Sequence, residues 1–143
     1  MSQTSHAPSS PVLYTGKVRT TGGREGTSRS SDGRLDVALT SPGAKGPGTN
    51  PEQLFAAGWS SCFIAAVGLA AKAQKVVLPA DAAVEAEVDL CNRDGEYFLQ
   101  ARLNVSLPGV PSELARALVD TAHRTCPYSK ATRGNIDVAI AVA

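Results

Sequence analysis

The chain has 143 residues, 43% hydrophobic and 19% charged, the size and balance of one globular domain, which excludes gross disorder. A formal net charge of +1 and 5% aromatic residues leave no electrostatic or base-stacking footprint for nucleic acid. Three cysteines, an odd number, exclude a fully paired disulfide scaffold in a monomer.

Residues 1–11, MSQTSHAPSSP, lack the basic start and apolar core of a secretory signal. They read as a flexible N-terminal tail, and the chain is expected in the cytoplasm. Residues 12–19, VLYTGKVR, alternate as a half-buried strand does. Two turn signals follow, Thr21-Gly22-Gly23-Arg24-Glu25-Gly26 and Ser31-Asp32-Gly33. Residues 34–40, RLDVALT, alternate again, so the first third predicts a small antiparallel sheet.

Residues 41–49 are a loop by composition. A helix start follows: Asn50 as N-cap, Pro51 at the first helical position and Gln53 three residues after the cap. This helix is expected to run to about Gln74. Its centre, LFAAGWSSCFIAAVGLAA over 54–71, lies at the lower length limit for a membrane span. It is rich in Ala, Gly and Ser and has no basic flank at its start, so a buried central helix is expected instead, with no membrane partner. Strands are predicted over 82–90 and 96–107, joined by the hairpin turn Asn92-Arg93-Asp94-Gly95. A helix over 111–124 is stopped by Pro127, a short helix restarts there and ends before Gly134, and residues 136–142 close as a strand. The sum is an α+β domain over 12–143: antiparallel sheets packed around a long apolar helix.

Few cysteines in a cytosolic chain point to chemistry rather than to staples. Cys62 lies inside the apolar helix, where a free cysteine behaves as a small hydrophobe and stays inert without a positive partner. Cys126 sits at the N-cap of the short helix, where free N–H groups and the helix dipole favour a thiolate. Local sequence alone ranks Cys126 as the better nucleophile. Cys91, at a strand end, reads as structural or incidental. His123 and Cys126 are three apart, half of a zinc set, but no second Cys/His pair accompanies them, so no metal is expected. Arg24, in its glycine turn, is either a solvated side chain or a guanidinium delivered to an anion or a thiolate. Glu52, in the first helical turn, already interacts favourably with the helix dipole. No P-loop, dinucleotide fingerprint or Ser-His-Asp pattern is present, and no bound cofactor is expected.

Taken together, 49–58 (TNPEQLFAAG), Cys62-Phe63 and 126–136 (CPYSKATRGNI) resemble the organic hydroperoxide resistance proteins, a branch of the Ohr/OsmC superfamily. The two turns around Arg24 and Asp32 fit the same pattern, and the likeness spans residues 13–142. The resemblance implies the OsmC-like fold, an intertwined homodimer, and a thiol peroxidase that reduces organic hydroperoxides to alcohols. It assigns Cys62 as the attacking cysteine, Cys126 as the resolving one, and Arg24 and Glu52 as polar partners of Cys62. It also implies regeneration by an external dithiol, a lipoylated protein. Glu52 and Cys62 are ten positions apart on one helix, about 15 Å of rise. A shared site therefore suggests two antiparallel copies of the helix across a two-fold axis. Apolar residues around the thiol, Phe55, Trp59, Phe63, Ile64 and Val67, are expected to favour alkyl or aryl peroxides over hydrogen peroxide, at about 0.8 kcal/mol per buried CH₂. The competing readings are an OsmC-type peroxidase with another substrate preference and a non-catalytic thiol redox sensor.

Overall fold

The computed structural model describes residues 10–143. The tail expected over 1–11 falls, up to residue 9, outside the described residues. Two compact units divide at Asn50–Pro51.

The first unit holds a three-stranded antiparallel sheet: β1 (Val18–Thr21), β2 (Thr27–Ser30) and β3 (Asp36–Ala38), with β2 central. Its strands are shorter than the alternating segments predicted. Pairing sets the limits: β1 spans the register Val18↔Ser30 to Thr21↔Thr27, and residues 12–17 have no strand opposite them. β2, TSRS, has no apolar alternation, and it forms because it is paired on both sides. Between β1 and β2 the chain pinches into a short 3-10 turn over Gly23–Glu25 that carries Arg24. Only glycine permits the pinch. Gly22 has φ 75, and a Cβ at Gly26 would run into the Thr21 carbonyl.

The second unit begins with α1 (Pro51–Ala73), then β4 (Ala83–Arg93), β5 (Glu96–Ser106), α2 (Ser112–Thr125), α3 (Pro127–Thr132) and β6 (Val138–Val142). β4 and β5 form a long hairpin closed by two residues, Asp94 (φ 53) and Gly95 (φ 89). Both angles are positive, as the twist of paired strands demands of such a tight turn. β6 pairs with β5 in parallel, so this sheet is mixed rather than wholly antiparallel as expected. A parallel neighbour needs a crossover, and α2 with α3 supplies it.

One face of the sheet presents Ala101, Leu103 and Val105, all buried, with Val84, Ala86, Val88, Val138 and Ile140 beside them. The alternate positions of β4, Glu85 and Glu87, point to solvent. α2 lays Ala115, Leu118, Val119 and Ala122 into this core. α1 adds Trp59, Phe63, Val67 and Ala71, each at most 1% exposed. α1 is long and apolar enough to cross a membrane by length and composition. Its packing on β4, α2 and α3 makes it the core helix of this unit.

Candidate active site

Cys126 occupies the joint between α2 and α3. Its backbone is extended (φ −61, ψ 124), as a residue before proline must be, and this stops α2. Its N–H still bonds the Ala122 carbonyl at 2.8 Å, and its own carbonyl accepts the Lys130 N–H at 2.9 Å. The joint is therefore a fixed corner, and Cys126 is the N-cap of α3, as the sequence predicts. The side chain is fully buried.

This corner docks on α1. The thiols of Cys62 and Cys126 are close neighbours, with no disulfide between them. The Tyr128 backbone N–H also lies near the Cys62 sulfur. Cys62 is half-buried, whereas Cys126 is sealed. Burial first, then the neighbouring Cys126 thiol, pushes the Cys62 thiol above its ordinary value of 9.0, while the Tyr128 N–H opposes that rise. A thiol raised in this way favours its protonated form, and a positive partner would shift it toward the thiolate.

The surroundings of the thiols are aromatic. Tyr128 lies over Gly58, one turn before Cys62, and a Cβ at Gly58 would stand 2.9 Å from the Tyr128 hydroxyl oxygen. Phe55 meets Tyr128 edge to face at 6.3 Å and Trp59 at 5.8 Å between ring centres. The Trp59 indole N–H donates to the Ser129 hydroxyl at 3.2 Å, a buried bond between elements 70 residues apart. Of the apolar residues expected around the thiol, Trp59, Phe63 and Val67 are buried in the core against which Cys62 packs. Phe55 and Ile64 are half-buried, and Tyr128 is 40% exposed.

Arg24 stands in the pinched turn of the first unit, and Glu52 in the first turn of α1, ten residues from Cys62. Cys91 lies on β4 opposite Phe98, and a free thiol is all it presents. His123 sits in the last turn of α2 with its Nδ1 buried and without a hydrogen-bond partner. Burial first, then the charge of Arg133, holds its pKa below the ordinary imidazole value. Arg133 also donates to the His123 carbonyl at 2.9 Å, tying the end of α3 to the end of α2. Among the described residues no three His, Cys, Asp or Glu side chains gather as a metal set.

The sequence reading did not single out Gly58 or Ser129. A signal existed for Gly58: Phe55, Gly58, Trp59 and Cys62 follow the i, i+3, i+4, i+7 spacing of one helical stripe. For Ser129 the only signal is its place in the turn after Cys126.

A family model described as OsmC-like protein matches residues 43–141, more than half of the chain. The chain is 46% identical over 136 residues to the organic hydroperoxide resistance protein of Xanthomonas axonopodis pv. citri, covering 92% of this chain and 96% of that one. The crystal structure of the organic hydroperoxide resistance protein OhrB of Bacillus subtilis superposes with a TM-score of 0.87 at 42% identity, covering 92% and 100% of the two chains. An organic hydroperoxide resistance protein from Legionella pneumophila superposes with a TM-score of 0.86 at 40% identity, covering 93% and 99%. The chain belongs to the OsmC family, and within it resembles the organic hydroperoxide resistance proteins.

Proposed function

We propose that this chain is a cysteine-based peroxidase that reduces organic hydroperoxides to alcohols. The observation that carries the reading is a pair of neighbouring unbridged thiols, one half-exposed and one sealed. A peroxide must reach the sulfur it oxidises, so access favours Cys62 as the attacking residue. The Cys62 thiolate attacks the outer oxygen of R–O–OH. The O–O bond breaks, an S–O bond forms, and RO⁻ takes a proton to leave as the alcohol. The Cys126 sulfur then attacks the Cys62 sulfur of the sulfenic acid. The S–O bond breaks, an S–S bond forms, and the oxygen departs with the Cys126 proton as water. An external dithiol, in the cell a lipoylated protein, reduces the disulfide.

Arg24 and Glu52 complete the site in this reading. Arg24 supplies the positive charge that Cys62 lacks within its own unit, and Glu52 orients the guanidinium through paired hydrogen bonds. The rise of α1 separates Glu52 from Cys62 by about 15 Å, which supports a homodimer with Cys62 from one protomer and Glu52 from its partner. Exposed Val12, Leu13, Tyr14 and Val18 fit such an assembly. The cytoplasm, where thiols stay reduced, suits the cycle. The aromatic faces of Phe55 and Tyr128 beside Cys62 favour alkyl or aryl peroxides over hydrogen peroxide.

The test is consumption of cumene hydroperoxide and of hydrogen peroxide with dihydrolipoamide as reductant. Repeated turnover that prefers the organic peroxide and vanishes in Cys62→Ser supports the reading. Cys126→Ser should complete one oxidation and stop at sulfenic acid. A single stoichiometric oxidation by the wild type, without turnover under any dithiol, would make the chain a thiol sensor. Turnover surviving Cys62→Ser and lost in Cys126→Ser would reverse the two roles.

A further inference from the structure

Three successive contacts bind the Cys126–Ser129 turn to a single stripe of α1. The Cys126 thiol neighbours that of Cys62. The Tyr128 ring lies over Gly58, with Oη, Cε2 and Cζ all within 3.2 Å of where a Cβ would stand. The Ser129 hydroxyl accepts from the Trp59 indole, and both residues are fully buried.

The last contact has a particular geometry. Trp59 is three residues before Cys62, and Ser129 is three residues after Cys126, so the bond lies about one helical turn from the thiol pair. A disulfide demands Cα atoms within about 7 Å and a narrow torsion, and a hinged α3 would miss both. Only the second chemical step uses that approach. Of the two cysteines, attack on a peroxide needs only Cys62.

We propose that Trp59, Ser129 and Gly58 are positioning residues for the disulfide-forming step: the indole–hydroxyl bond and the side-chain-free seat under Tyr128 clamp α3 so that Cys126 stays within reach of Cys62. This deepens the peroxidase reading and rests on it for its place in a cycle. The clamp itself acts on the thiol pair whatever oxidises it.

The experiment has two arms. In the first, the Cys62–Cys126 pair is equilibrated against reduced and oxidised glutathione, and the equilibrium constant for the intramolecular disulfide is read by thiol alkylation and mass. No peroxide takes part. Ser129→Ala and Trp59→Phe should each lower that constant about five- to ten-fold, the scale of one lost buried hydrogen bond. The double variant should fall no further than the worse single, because both changes cut the same bond. Gly58→Ala should lower the constant independently, since its methyl must displace Tyr128. In the second arm one equivalent of cumene hydroperoxide is added, and dimedone traps sulfenic acid. The lifetime of Cys62 sulfenic acid should lengthen about five-fold or more in Ser129→Ala, while consumption of the peroxide stays within about two-fold of wild type.

A glutathione equilibrium unchanged in Ser129→Ala and in Gly58→Ala would overturn the clamp. So would Ser129→Ala and Trp59→Phe effects that add in the double variant. Ser129→Ala removes one oxygen and leaves the indole in the core, so it guards against loss of the fold in Trp59→Phe. If the equilibrium shifts as expected but cumene hydroperoxide oxidises nothing in the wild type, the clamp stands and the peroxidase reading fails.

Discussion

The charge on Cys62 gives the sharpest test of the proposed site. Within its own unit, burial and Cys126 keep this thiol above its ordinary value of 9.0. At pH 7 the thiolate that attacks a peroxide is then the minor form. An opposite charge within about 4–6 Å lowers a pKa by about 1–3 units. If Arg24 supplies it, Arg24→Ala should cut the thiolate population at pH 7 by about 10- to 1000-fold. The net loss of reactivity is smaller, because a thiolate of higher pKa is the stronger nucleophile, with a slope of about 0.4–0.5. Roughly half of the logarithmic loss returns, leaving a fall of about 3- to 40-fold. Iodoacetamide labelling of the Cys62 peptide, followed by mass against pH, measures this directly. The sign is fixed: losing the cation raises the pKa, so the variant's labelling curve moves to higher pH, and at pH 10–11 it should meet or pass the wild type. Arg24→Lys should retain much of the effect. Reduction of cumene hydroperoxide should fall further than labelling, since the guanidinium would also steady the leaving alkoxide. Wild-type labelling at pH 7 in Arg24→Ala, or a loss that high pH does not rescue, would refute the electrostatic role.

Three further outcomes follow from the second unit. Cys126→Ala should move the Cys62 labelling curve to lower pH, because Cys126 is among the causes that raise that thiol; a shift the other way would contradict the geometry. Phe63→Ala, at 0% exposure in the α1 core, should cost about 3–5 kcal/mol in urea unfolding, a large share of the ~5–15 kcal/mol usual for a domain. Less than about 1 kcal/mol would mean that α1 is not the core helix. Arg102 first, then Gln100, holds Asp89 down to about 2 from an ordinary 3.8. A folded-state pKa below the unfolded one gives stability that is fully present above about pH 4 and is lost as pH falls through about 2. The stability gap between wild type and Arg102→Gln should therefore close between pH 4 and 2, and a gap constant across that range would argue against the ion pair.

Much of the second unit was legible because its signals are local. Pro51 opens α1 and Pro127 opens α3, both as the first helical residue. Asp94-Gly95 closes the β4–β5 hairpin at the predicted turn. The first sheet was less legible, since β2 has no apolar alternation and owes its existence to two flanking strands. The parallel pairing of β6 was equally hidden. Residues 136–142 alternate in the same way for either direction, and only the α2–α3 crossover decides it.

The candidate site divides along the same line. A capped thiol at a helix start can be read from Cys126-Pro127, and on that ground Cys126 ranks above Cys62 as a nucleophile. Tertiary packing reverses their access: α3 folds its N-terminus down onto α1, sealing Cys126 and leaving Cys62 half-open. The same docking brings the Tyr128 N–H, one of the donors at the start of α3, near the sulfur of Cys62. The polar environment that the sequence allots to one cysteine is thus delivered to the other. That transfer depends on a contact between residues 64 positions apart (126 − 62), which neither local motif encodes by itself. Gly58, Trp59 and Ser129 are where the sequence does encode it: a missing side chain, an indole N–H and a hydroxyl, set at the spacing that lets two helices meet with their thiols in register.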